Sequence, residues 1–165
     1  MRTVIRVLAM TLALVAVLAL VGCDKGIAFD TLREKYEELG YVYSAEAPSN
    51  GETWEQYLLS DVQKALETDD AGCRAHYFSK EFEFGGNGKV KGTAWFVLLE
   101  YDSAKTVKAV IEETEGIGAI LRDQVENQIA TWEYSYDRLV RDQYIVIPLY
   151  CSGDQAQEMM DTLQS

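Results

Sequence analysis

From residue 29 onward apolar positions recur with two different periods, and the changes between them divide the chain into elements. Phe29, Leu32, Tyr36 and Leu39 fall three or four apart, the spacing of one helical face, and Gly40 follows as a C-cap. Thr31 and Glu34 carry capping-box spacing near its start. Tyr41 to Ala47 switches to alternation, with Tyr41, Tyr43 and Ala45 on one side, and Pro48-Ser49-Asn50-Gly51 reads as a turn. Trp54, Leu58, Val62, Ala65 and Leu66 restore helical spacing between Glu52 and Glu67, and Thr68 to Gly72 ends it.

Two β-rich segments come next. Arg74 to Phe84 places His76, Phe78, Lys80, Phe82 and Phe84 on one face, and Lys91 to Tyr101 follows across Gly85-Gly86-Asn87-Gly88, a hairpin signal. Trp95 to Leu99 is apolar on both faces, which predicts a central strand. Asp102 or Ser103 can cap a helix bearing Ala104, Val107, Val110 and Ile111. Beyond Gly116-Ile117-Gly118, the positions Ile117, Ile120, Leu121, Val125 and Ile129 predict another helix or a continuation. Thr131 to Val140 and Tyr144 to Tyr150 read as a second hairpin turning at Arg141-Asp142-Gln143, and Ala156, Met159, Met160 and Leu163 mark a last helix.

The order α, β, α, β, β, α, α, β, β, α predicts an α+β domain. Its sheet is mostly antiparallel, of about five strands, with helices packed on one face. A ferredoxin-like arrangement fits Tyr41 to Val140 by pattern.

The first residues follow a different logic. Arg2 and Arg6 precede an apolar run from Val7 to Val21, interrupted only by Thr11 and too short for the ~20 residues of a bilayer-crossing helix. A positive end, a short apolar core and a small residue before a cleavage point make a secretory signal peptide. Leu20-Val21-Gly22-Cys23 resembles the bacterial lipobox at every position. The resemblance implies diacylglyceryl transfer to the Cys23 thiol, cleavage after Gly22, and a mature chain anchored in the cell membrane on its extracytoplasmic side. The domain that follows resembles only loosely the small lipoproteins of bacterial genomes. The expected organisation is a signal peptide over 1–22, an acylated cysteine and short tether over 23–28, and one α+β domain over 29–165. The five tether residues after Cys23 reach at most ~20 Å, so the domain is expected to sit close to the membrane.

Charge narrows the partners. The chain carries a net charge of −12. Loss of residues 1–22 removes Arg2 and Arg6 and no acid, leaving 13 basic against 27 acidic side chains, a net −14. Such a surface disfavours nucleic acid, which needs clustered Lys and Arg, and is repelled by anionic lipid heads, so the lipid has to do the anchoring.

Four sets of side chains are candidates for chemistry or binding. With Cys23 spent on lipid, Cys73 and Cys151 are the remaining thiols. If the open ends of the two hairpins meet, a disulfide closes a long loop and stabilises by about 4 kcal/mol; otherwise these are two buried thiols. Cys73 and His76 have Cys-x-x-His spacing, but an odd separation along a strand puts them on opposite faces, and His76 is the chain's one histidine. The acids Asp69-Asp70, Glu81 and Glu83, and Glu112-Glu113-Glu115 lack EF-hand spacing and read as solvated faces. Ten tyrosines and three tryptophans are many, and Tyr134, Tyr136, Tyr144 and Tyr150 alternate with polar residues. Tyr134, Tyr136 and Tyr144 form either a binding face for an envelope protein, peptide or glycan, or cross-strand pairs holding a hairpin together. No motif calls for a cofactor: Gly116-Ile117-Gly118 follows a helix and lacks a third glycine. The sequence thus points to a lipid-anchored, non-catalytic binding module. The alternatives are an envelope hydrolase or thiol enzyme using Cys73 or a carboxylate pair, and a metal-responsive module.

Overall fold

A computed structural model describes residues 26–48, 54–68, 72–84, 90–126 and 135–165. The expected lipobox, the turns expected after Pro48 and over Gly85–Gly88, and the segment Thr131 to Tyr134 lie outside the described residues.

Strands β2 (Arg74–Phe84) and β3 (Val90–Glu100), made of alternating or continuous apolar residues, pair antiparallel along their whole length, from Arg74↔Glu100 to Phe84↔Val90. The short β1 (Val42–Ser44) pairs with β2 on one side, and β5 (Tyr144–Tyr150) with β3 on the other. The two-residue β4 (Val140–Arg141) closes the sheet in the order β1-β2-β3-β5-β4. Every neighbouring pair is antiparallel, and β3 is central as its two apolar faces predict. The fold is α+β with a five-stranded antiparallel sheet. It is not ferredoxin-like, because β1, β2 and β3 lie side by side in chain order with no parallel crossover.

Helices cover both faces rather than one. On the face of His76, Phe78, Phe96 and Leu98 lie α1 (Phe29–Glu38) and α6 (Gly153–Gln164). Tyr36 of α1 meets Phe78 and Phe96 at centroid distances of 5.1 and 4.7 Å, and those two rings stack at 4.7 Å. The Tyr36 hydroxyl donates to the Met159 carbonyl of α6 at 2.9 Å, so the phenol is buried without an orphaned oxygen. Burial pushes the Tyr36 phenol well above its ordinary pKa. On the face of Tyr77, Val97 and Leu99 lie α2 (Trp54–Thr68), α3 (Ala104–Glu112) and α4 (Gly116–Glu126), with Gln63 of α2 bonded to the Tyr77 phenol.

Local chemistry ends the helices. Gly40 at φ +89 donates to the Glu37 carbonyl while Tyr41 donates to that of Tyr36, the paired bonds of a Schellman motif, and the Tyr41 ring packs edge-on against Tyr36. The helix starts at Phe29 on an Ala28 N-cap, which puts Thr31 and Glu34 inside it rather than in a capping box. Ser103 caps α3 through the Thr106 amide, and Ser152 and Gln155 form a capping box at α6. The expected strand from Thr131 to Val140 is replaced over Tyr136–Leu139 by a helical turn, α5, that runs straight into β4.

Gly118 is where α3 and α4 touch backbone to backbone. A Cβ there would overlap the carbonyl oxygens of Val110 and Glu113, the second at 2.5 Å. Gly92 also leaves no room, but its obstacle is the Phe82 ring tip at 2.7 Å, which can swing aside. Gly118→Ala should therefore cost about 1–3 kcal/mol in urea unfolding, and Gly92→Ala a fraction of that. Equal losses, or a larger one at Gly92, would sink this account of the helix contact.

Candidate functional site

Alternation along β2 turns His76 toward the α1 side, two rungs in from the end of the ladder, where it pairs with Leu98. Glu100 stands diagonally across on β3 and Tyr43 diagonally across on β1, both within side-chain reach. His76 Nε2 lies 3.0 Å from Glu100 Oε2, and Nδ1 lies 3.3 Å from the Tyr43 hydroxyl. With Glu100 accepting, the proton belongs on Nε2, and Nδ1 accepts from Tyr43. Phe29, the first residue of α1, stacks on the imidazole at 3.7 Å. His76 and Glu100 are both buried.

Charged neighbours complete the cluster. Arg74 Nε approaches Glu100 Oε2 at 3.6 Å from an exposed position, and the Arg33 guanidinium lies over the Tyr43 ring at 4.7 Å while pairing with Glu37. Tyr144, beside Glu100, is fully buried, and burial pushes its phenol up to about 12. Burial also holds His76 below its ordinary pKa. Glu100 pulls the other way and loses; Arg74 adds to the lowering.

The order hydroxyl, imidazole, carboxyl is that of a nucleophile, a base and an orienting group. Here, however, both ring nitrogens and one ring face are engaged within the fold. What the cluster does in this structure is tie β1 and the start of α1 to the β2–β3 ladder.

The other sequence candidates disperse. Cys73 and Cys151 are not joined to each other: both are thiols, Cys73 at one end of the sheet and Cys151 near the middle of the β2–β3 ladder. β2 and β5 are each antiparallel to β3 and hence parallel to one another. Cys73 precedes the Arg74↔Glu100 rung and Cys151 follows the Tyr150↔Trp95 rung. Those rungs are about 17 Å apart along β3 at ~3.4 Å per residue, far beyond the ~7 Å Cα limit of a disulfide. Cys73 and His76 do lie on opposite faces of β2, which removes the thiol–imidazole pair.

The aromatic face does not form either. Tyr144 has no exposed surface, Tyr136 is half-buried at the first position of α5, and Tyr134 lies outside the described residues. Glu81, Glu83, Glu112, Glu113 and Glu115 are exposed, and Asp69-Asp70 lies outside the described residues. Among the described residues no three His, Cys, Asp or Glu side chains are grouped to hold a metal ion. Glu100 was not singled out by the sequence. The signal was present: a hairpin centred on Asn87 pairs residues whose numbers sum to 174, which places Glu100 opposite Arg74 and beside His76.

The mature chain with Cys23→Ser should show two titratable thiols in denaturant without reductant, whereas a mass two units below the reduced value would restore the bridge. Because the folded imidazole takes up its proton at lower pH than the unfolded one, the stability it contributes is present above about pH 6.5 and declines as pH falls through the folded pKa. The urea midpoint of the unsubstituted protein should therefore drop more between pH 7.5 and 5 than that of His76→Gln; parallel drops would contradict the buried neutral histidine.

No protein-family model, curated protein or solved structure matches this chain.

Proposed function

We propose that the chain is a lipid-anchored, non-catalytic binding or interaction module, held through Cys23 to the extracytoplasmic side of a bacterial cell membrane. The observation that carries this reading is the lipobox Leu20-Val21-Gly22-Cys23, followed after a short tether by the first helical residue, Phe29. Two acyl chains on one residue supply the double anchor that a single chain does not, at ~0.8 kcal/mol per buried methylene. The partner class is an envelope protein, peptide or glycan. Non-catalytic action is favoured by the burial of His76 and Glu100 beneath Phe29, and by the separation of Cys73 from His76 across the sheet.

The anchoring is tested by expressing the full chain in a bacterium and comparing it with Cys23→Ser. The unsubstituted chain should incorporate labelled palmitate and float with membranes, and the variant should do neither. Membrane association that survives the substitution, with no label in the unsubstituted chain, would remove the lipoprotein reading.

A further inference from the structure

The point at which the chain enters the fold is fixed by packing. At Gly26 a Cβ would stand 3.0 Å from Asp142 Cβ and 3.1 Å from the Gln143 side-chain oxygen, so this backbone lies directly on the turn between β4 and β5. The Gln143 backbone carbonyl in turn accepts from the Tyr101 amide at 2.9 Å, which binds that turn to the end of β3. Ile27 packs partly buried against the core and Phe29 stacks on His76 at the same end of the sheet. Only two residues, Asp24 and Lys25, separate this seat from Cys23, a span of three Cα steps or at most ~11 Å.

The sheet is long in the direction leading away from that seat. Ten residue steps separate the Arg74↔Glu100 rung from the Phe84↔Val90 rung, about 34 Å at ~3.4 Å per step. β1 pairs only as far along as Ser79 and β5 only as far as Trp95, so 80–84 and 90–94 continue as a two-stranded ribbon beyond the rest of the sheet.

Resting on the anchoring reading above, we propose that the acylated protein stands on the lipid surface by the end of its sheet at which the chain enters. The start of β2, the end of β3 and the Asp142–Gln143 turn face the head groups, and the β2–β3 ribbon points away. The tether is too short to let the far end swing down without tipping the whole domain flat. Tipping it would press an acidic body, net −14 after cleavage, onto anionic lipid, which the surface potential opposes. The standing pose brings one end to the bilayer and keeps the rest of that charge at a distance, where salt screens it within about 10 Å. It also leaves the ribbon, with Glu81, Glu83 and Lys91 exposed, farthest from the membrane.

The test places one fluorophore at either end of β2–β3. In the full acylated chain carrying Cys73→Ser and Cys151→Ser, Arg74→Cys and Lys91→Cys provide separate labelling sites, both exposed in the fold. The labelled proteins are reconstituted in vesicles of phosphatidylethanolamine and phosphatidylglycerol bearing a head-group nitroxide. Quenching should be several-fold stronger at position 74 than at 91; equal quenching, or the reverse order, overturns the standing pose. Acyl mass on Cys23 is read first, so a chain without lipid defeats the anchoring reading and the pose with it, whereas a lipidated chain quenched equally at both sites defeats the pose alone. Hydrogen exchange on the unsubstituted acylated protein covers the case in which a labelled variant fails to fold. Relative to soluble Cys23→Ser, vesicles should slow exchange at Asp102 and Gln143 and leave Glu81 to Glu83 unchanged. Protection on the ribbon instead overturns the proposal.

Discussion

The antiparallel ladder between β2 and β3 is the constraint on which the rest of the molecule is hung. Its pairing fixes which side chains of each strand look toward α1 and α6 and which toward α2, α3 and α4. A slip of one residue would send Phe78 and Phe96 to the wrong layer and bring Tyr77 and Val97 in their place. β1 and β5 attach near one end of this ladder and take their registers from it. The positions of His76, Glu100 and the two cysteines are consequences of the same pairing.

Around the ladder, several buried polar groups find partners on a neighbouring element. The Tyr36 hydroxyl reaches through the aromatic cluster to the Met159 carbonyl and so joins the first helix to the last. Lys80 meets Glu158 at 2.8 Å while its ammonium lies over the Tyr41 ring at 5.0 Å, a second tie between the sheet and α6. At the open edge beyond β4, Gln164 donates to the Val140 carbonyl and Arg141 to that of Leu163, so the end of α6 stands where another strand would otherwise pair. The His76 cluster belongs to this group: a buried ring with Glu100, Tyr43 and Phe29 around it, fastening the entry of the chain to the sheet.

Much of this was legible in periodicity, because period 2 and period 3.6 are consequences of backbone geometry that no tertiary contact alters. The order of the elements, the β2–β3 hairpin, the central position of β3, and the Gly40 and Ser103 caps all follow from residues adjacent in sequence. The misreadings came from inferences that needed a second element. Trp95 to Leu99 is apolar on both faces, which already requires a cover on each side; reading helices on one face alone contradicted it. Tyr134 and Tyr136 alternate with polar residues and Tyr144 opens the apolar run to Tyr150, but Tyr136 enters a helical turn and Tyr144 is drawn inward beside Glu100, so these two share no exposed face. The disulfide rested on the sense of β5 relative to β2, which depends on β3 lying between them. Glu100 escaped notice because a single acid at a strand end has no periodic signature; only the register exposes its partner.

The sequence and the fold bear on the membrane through different forces, and their balance decides what the domain contributes. On the proposed reading the acyl chains at Cys23 supply the affinity, since each methylene adds ~0.8 kcal/mol and the acidic surface adds none. The fold then acts on orientation. A flexible tether of many residues would let an acidic body drift and rotate, its reach growing as the square root of length. Here two residues after Cys23 lead to the Gly26 backbone seated against the Asp142–Gln143 turn, and that turn is bonded to the residue after β3. Rotational freedom is limited by the rigidity of the seat rather than by any attraction between domain and lipid. The direction in which the ribbon points is therefore set by the strand order of the sheet, through the one turn on which the entering chain rests.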